Sequence, residues 1–356
     1  MPDLHPDVLL LVAGQVDDLQ TLSSLSQTSS FTNSLLKTYE RSIVKAMIHR
    51  RIAAGLVFPP CGSILASHTQ DREFLRAFSY SVIQELDMRS RRIDALFSPG
   101  TPLLNAIHES QSHAALPERE LDNLITFLKR AVMLADRLKD CVAEVVFQWP
   151  EPLSQCDIDT YYDGIRRKVK LAQFEVLRDS CSPIDLAFLS TLADIAGMAY
   201  AAEHPFIMHD PSPWSRVTAF KEAVYSHGSM ALWAWLRPRD EPAAPAADGS
   251  GSVKADPAEH ASGSPDEERA EAELMLVMEK AASGVMEDIG LWEAGRGAYE
   301  DDEFADESLV LPGVYSRVRT EYSRKTGRPF ERVGVDMDVA VLLAIREGVE
   351  EEGGSG

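Results

Sequence analysis

Residues 118–148, ERELDNLITFLKRAVMLADRLKDCVAEVVFQ, place Leu121, Leu124, Leu128, Val132, Ala135, Leu138, Val142 and Val145 three or four positions apart. Positions so spaced stack above one another on a helix of 3.6 residues per turn, so the run predicts one long α-helix with a single apolar stripe. Pro117 suits its first turn, where a missing N–H costs nothing, and Trp149-Pro150 ends it. Similar spacing recurs at 70–97 (Phe74, Phe78, Val82, Leu86, Ile93, Leu96), 157–179, 184–202 and near 215–236 (Phe220, Val224, Ala231, Trp235). Further helices are expected near 312–325 and 336–347. Alternating apolar and polar residues are scarce, and no Asn-Gly or Asp-Gly pair joins two such runs. The fold class is therefore all-α: an N-terminal trihelical unit followed by an irregular helical bundle with a disordered acidic insert.

The insert is legible from composition. Residues 238–268, PRDEPAAPAADGSGSVKADPAEHASGSPDEE, contain one large aliphatic residue, Val253, and no aromatic residue. Such a stretch cannot bury enough apolar surface to offset its ordering entropy. Helical spacing returns at 268–293 (Leu274, Met275, Val277, Met278, Val285, Ile289, Trp292), followed by the acidic run Glu300-Asp301-Asp302-Glu303. Four regions follow: residues 1–50, a trihelical module; 51–237, a helical body; 238–268, the linker; and 269–350, an acidic helical segment able to pack back on the body. No repeat at solenoid periods is present.

Charge follows the same division. Of the formal net charge of −21, residues 238–356 contribute −16, from 12 Lys+Arg against 28 Asp+Glu. That balance argues against a general nucleic-acid binder. Cys61, Cys141, Cys156 and Cys181 are widely spaced without a C-x-x-C pair, and read as reduced thiols rather than a disulfide framework. Asp3 and Asp7 stand where a secretory leader would be basic, and no run approaches the roughly 20 apolar residues of a membrane span. The expectation is a soluble protein of the cytoplasm or nucleus with no membrane partner.

The N-terminal stretch poses a packing question. Pro6 opens a helix running to about Val16 that is apolar on every side: Val8-Leu9-Leu10-Leu11-Val12-Ala13. Asp17 or Asp18 caps a second helix with Leu19, Leu22 and Leu25. A third carries Phe31, Leu35, Tyr39, Ile43 and Met47 at i+4 steps and continues to about Ile52. Three short helices can bury one face each, so the other side of the first needs either the following domain or another protein.

The residues that bear on the choice are Leu4, Pro6, Asp7, Val8, Leu9 and Val12, then Leu19, Leu22 and Leu25, the run Ser26-Gln27-Thr28-Ser29, and Leu35. Together they resemble the F-box in its fungal form, a Leu-Pro-Pro-acid-apolar-Leu start followed by a Leu-x-x-Leu-Ser-Gln-Thr-Ser helix. The match covers the first 45 residues or so. The chain departs from the pattern at His5, where Pro is usual, in a shorter Gln15–Leu19 connection, and in Ser30, Phe31 and Thr32. The resemblance implies a substrate receptor of a Skp–cullin–F-box ubiquitin ligase, binding a Skp-family adaptor and through it a cullin. By position, Leu4, Pro6, Val8, Leu9, Val12, Leu22 and Leu25 would face that adaptor or support the face that does. A protein substrate would be held by the helical body. The competing expectation is a non-catalytic scaffold whose trihelix packs internally.

Catalytic signals are absent from the sequence: no Gly-rich phosphate loop, nucleophile elbow or H-E-x-x-H. His204 and His209, flanked by Glu203 and Asp210, are five residues apart and interrupted by Pro205, so they do not share a helical face. Asp157 and Asp159 read as helix-start carboxylates. No enzyme activity, metal or cofactor is expected. Arg89, Arg91 and Arg92, like Arg166, Arg167, Lys168 and Lys170, read as solvated faces or salt-bridge partners. The denser 317–328 segment would meet an anionic partner or the chain's own acidic tail. Trp233 and Trp235 read as core.

Overall fold

The computed structural model describes residues 5–16, 18–53, 64–66, 74–76, 78–110, 116–148, 164–203, 213–236 and 313–347. The expected 238–268 insert, the helix at 268–293, Cys61 and Cys156 lie outside the described residues. Within them the chain is helical but for one short ladder.

The N-terminal unit has four helices, not three: α1 (Pro6–Gln15), α2 (Leu19–Gln27), α3 (Ser30–Thr38) and α4 (Glu40–Ala53). The expected third helix breaks at Tyr39, whose φ of −105° and ψ of 14° end α3. An i+4 row turns about 40° per step, so five members span about 160° and cannot share one core. Accordingly Ile43 and Met47 are buried, whereas Phe31 and Tyr39 are exposed. At the ends of α2 and the start of α3, hydroxyls and a carboxylate do the punctuation. Asp18 accepts from the Thr21 amide at 2.6 Å, Thr28 Oγ1 donates to the Leu25 carbonyl at 2.7 Å, and Ser29 Oγ accepts from the Thr32 amide at 3.0 Å.

A three-residue antiparallel ladder, β1 (Ile64–Ala66) with β2 (Phe74–Arg76), pairs Leu65 with Leu75. It stands where the sequence predicts the start of a helix at residue 70. That helix, α5, runs only from Tyr80 to Leu96. Phe78 has φ of 60°, a left-handed conformation that a helix of L-residues cannot continue through.

The body comprises α6 (Pro102–Glu109), α7 (Glu118–Phe147), α8 (Arg166–Asp179), α9 (Pro183–Glu203), α10 (Pro213–His227) and α11 (Ser229–Leu236). The α7 stripe is as spaced in sequence, with Leu124, Leu128, Val132, Ala135 and Leu138 buried. α9 packs on α7 and α10 and is buried nearly all round, from Leu186 through Tyr200. Contrary to the sequence expectation, α9 is long and apolar enough to cross a membrane, but 67% of its apolar window is buried inside the protein, as in a core helix. Ring stacking adds to its packing: Phe127 on Phe188 and Tyr200 on Phe220, each with centroids 4.4 Å apart, with Trp235 edge-on to Tyr200. Trp233 is buried, as expected for core.

The single helix expected over 215–236 is two, because Gly228 adopts φ of 60° between them. The turn brings the Ser229 amide within 2.7 Å of Asp136 Oδ1 on α7.

Two further helices, α12 (Val314–Thr326) and α13 (Val333–Glu347), contribute Val318, Tyr322, Val333, Met337, Val341 and Ile345 to the same core as α7 and α9. Glu222 of α10 accepts from the Val314 and Tyr315 amides at 3.0 Å each, satisfying the free donors at the start of α12. Lys325 donates to the Arg178 and Cys181 carbonyls near the end of α8, at 2.7 and 2.6 Å. Buried Glu321 pairs with Arg317 and Arg324. Much of the basic 317–328 segment is thus engaged in packing within the body.

α5 belongs to both cores. Val82, Ile83 and Leu86 close the N-terminal cluster around Leu22, Leu36, Val44 and Met47, whereas Ile93 and Leu96 enter the body's core. Between these ends lies a polar layer. Arg89 forks onto Asp140 at 3.0 and 2.8 Å and donates to Glu85 at 3.0 Å, and Arg92 donates to Glu85 and to Ser229 Oγ. Of the two readings given for Arg89 and Arg92, the salt-bridge one holds and the solvated one does not: both pair with acids while buried, and only Arg91 of the three is exposed. α7 is buried on a face far wider than its stripe, so Asp136, Arg137 and Asp140 go inside with it. Burial alone would lower the Arg89 pKa, but Asp140, Asp136 and Glu85 hold it well above its ordinary value. Burial lowers Arg92 and raises Asp136 despite their neighbours.

Candidate protein-docking face

α1 owes its two faces to helical geometry acting on a uniformly apolar run. At about 100° per residue, Leu10 and Ala13 point one way and Val8, Leu11, Val12 and Gln15 the other. Ala13 is fully buried and Leu10 packs against the same cluster, beside α3 and α4. On the opposite side Val8 is 43%, Leu11 69% and Val12 49% exposed. The sequence-predicted residues divide accordingly. Val8 and Val12 lie on the open face; Pro6 and Leu9 are half-buried. Leu22 is core, and half-buried Leu25 packs against that core, so these two support the face rather than form it. Leu4 lies outside the described residues. Leu11, the most exposed of the set, was missed because the family pattern does not mark it; the i, i+3, i+4 spacing with Val8 and Val12 was the available signal.

The helix is held in place at both ends. His5 caps the start, its Nδ1 accepting from the Asp7 amide at 3.4 Å. At the other end Arg50 of α4 donates Nη1 to the Gly14 carbonyl and Nη2 to the Val16 carbonyl at 2.8 Å, a cation at the negative pole of the helix. Further along, Tyr80 donates its amide to Glu40 Oε1 at 2.7 Å and its hydroxyl to the Leu36 carbonyl at 3.2 Å, fastening α5 to α3 and α4. Burial, with Glu40 beside it, pushes the Tyr80 pKa to about 12. Arg50→Ala is expected to loosen α1 alone, by about 2 kcal/mol for two charge-assisted bonds partly open to water. Hydrogen exchange would report this as faster exchange over residues 8–15 with α7 unchanged.

Elsewhere the described residues hold no group of three or more metal-ligating side chains. His204, His209, Asp157 and Asp159 lie outside them. Cys141 and Cys181 are buried thiols, Cys141 directing its Sγ at the Arg137 carbonyl one turn earlier and Cys181 at the Val176 carbonyl.

No protein-family model matches the chain, and neither a curated protein nor a solved structure resembles it significantly.

Proposed function

We propose that α1 to α4 form an F-box-like module that docks a Skp-family adaptor on the exposed face of α1, and through it a cullin. In this reading the helical body holds a protein substrate, and the chain itself is a non-enzymatic receptor of the cytoplasm or nucleus. The observation that carries the proposal is the side-by-side exposure of Val8, Leu11 and Val12 on a helix whose other face is already satisfied. Short aliphatic side chains presented on a pinned helix suit helix-on-helix docking, where a few central residues dominate the affinity. The residue types at Leu25 to Ser29 fit the same reading, since they stop one helix and start the next. A self-contained scaffold accounts for buried Leu22 equally well, but gives the open face of α1 no role.

Co-purification with a Skp-family adaptor tests the proposal. Wild type is expected to form a complex, and Leu11→Asp/Val12→Asp to weaken it by at least about thirtyfold, since central interface residues contribute about 2 kcal/mol or more each. Circular dichroism should be unchanged, because both side chains are about half exposed or more. Absence of any complex with wild type would defeat the reading.

A further inference from the structure

In the polar layer between α5, α7 and α11, Asp136 is the one buried carboxylate that accepts no bond from a guanidinium. Glu85, Asp136, Asp140, Arg89 and Arg92 are each 5% exposed or less. Arg89 commits its fork to Asp140 and its Nε to Glu85, while Arg92 donates to Glu85 and to Ser229 Oγ. Asp136 accepts at Oδ1 from the Ser229 amide at 2.7 Å, and its buried Oδ2 accepts from no protein donor. Two or three donated bonds stabilise a buried carboxylate; one leaves most of its lost hydration unreplaced. Gly228 presses the α10–α11 turn onto the same residue, since a Cβ there would stand 2.8 Å from the Asp136 Cα. Charge is uneven as well, with three carboxylates against two guanidiniums among the described residues of the layer.

We propose that Asp136 holds a proton in the folded protein at pH values where an exposed aspartate has lost its own, which makes the layer a proton-dependent clasp between α5, α7 and α11. With Asp136 neutral, two carboxylates face two guanidiniums. Burial favours the neutral form and raises the Asp136 pKa; Arg89, Arg92 and the Ser229 bond oppose this without overcoming it. Glu85 on α5 and Asp140, one turn along α7, are like charges in the same layer and favour the proton. α10 and α11 meet Asp136 through Gly228 and Ser229, which carry no charge, and His227 adjoins Gly228 in sequence. Folding then takes up a proton that the unfolded chain does not hold. The stability this proton contributes is complete below the unfolded-state pKa and is lost as pH rises through the raised folded-state value. Above it, Asp136 is a buried anion with a single donor, and α11 parts from α7 more readily. Nothing in this clasp depends on the adaptor reading at the N-terminus.

Asp136→Asn tests the clasp, because the amide keeps an acceptor for Ser229 and is neutral at every pH. Urea unfolding of both proteins across about pH 5–8 gives the ratio of their folding constants, wild type over variant. That ratio is expected to fall as pH rises, by up to about tenfold per pH unit for a single proton. Taking the ratio removes what His227 contributes, and what Glu144 contributes as the other described carboxylate whose pKa burial raises. Infrared spectra read the proton itself. Wild type isotopically labelled at its aspartate carboxyls is expected to show a protonated C=O band at about pH 6, roughly two units above an ordinary aspartate pKa. The band should be absent in urea and in the variant. A ratio that stays flat or rises with pH would overturn the proposal, and so would a folded wild type without the band. Circular dichroism checks that the variant folds; if it does not, the folded and urea-unfolded wild-type spectra decide alone.

Discussion

Gly228→Ala is expected to destabilise the protein by about 3–5 kcal/mol, against the roughly 5–15 kcal/mol that holds an ordinary domain together. Two costs combine. The residue has φ of 60°, which costs an L-residue about 1–2 kcal/mol. Its new Cβ would also stand 2.8 Å from the Asp136 Cα and 2.9 Å from the Asp136 amide nitrogen. Those are backbone atoms in the middle of α7, so no side chain can swing aside; α11 must move off α7, breaking the Ser229 to Asp136 bond as it goes. Gly100 and Gly327 provide the control, since their φ values are 83° and 67° but open space surrounds the site of their missing Cβ. Gly100→Ala and Gly327→Ala should cost only the conformational part. Urea midpoints of the three variants, compared at constant m-value, separate the collision from the strain. Equal midpoints would mean that α11 and α7 are not locked at this point.

Asp140→Ala is expected to cost a similar amount, about 3–5 kcal/mol, by leaving the Arg89 guanidinium buried without its two-point partner. Glu85 remains beside Arg89, but it also serves Arg92, and Asp136 is engaged by the Ser229 amide, so neither replaces the two-point partner in this buried layer. The double variant Arg89→Met/Asp140→Ala should recover part of the loss, since it removes the stranded cation together with its partner. A double-mutant cycle by denaturant unfolding measures this directly, with a coupling of more than about 1 kcal/mol expected. Additive costs would show that the two charges are solvated independently.

Helical spacing located α7, whose single long stripe lets the 3.6-residue repeat dominate, and also marked α8 and α9, with α12 and α13 expected near their observed positions. It failed where a single backbone conformation overrides the pattern, at Tyr39, Phe78 and Gly228. In each case apolar spacing runs on across a break that only dihedral angles reveal. The glycine offered a hint, being left-handed permissive, but Phe78 offered none. The buried ionic layer was equally hidden. Glu85 with Arg89, and Asp136 with Asp140, look like i, i+4 pairs on solvated helix faces, and only the tertiary packing of α5 against α7 and α11 turns them inward. On α1 the reverse holds: an all-apolar run gives no face by inspection. The open side emerges only once Leu10 and Ala13 are seen to be the buried ones, which then identifies Leu11.

The sharing of α5 between two cores also constrains the order in which the chain can mature during synthesis. The N-terminal helices emerge first, yet their cluster is closed by Val82, Ile83 and Leu86, and in the next turns of the same helix Arg89 and Arg92 have only Glu85 to pair with until Asp140 and Ser229 exist. Asp140 arrives some 50 residues later and Ser229 some 140 residues later, which at about 5–20 residues per second is a wait of roughly 10–30 s for the last of them. Arg89 gains its fork once Asp140 is made, whereas Arg92 must wait for Ser229, so the layer that ties α5 to α7 and α11 is the last part of α5's surroundings to close.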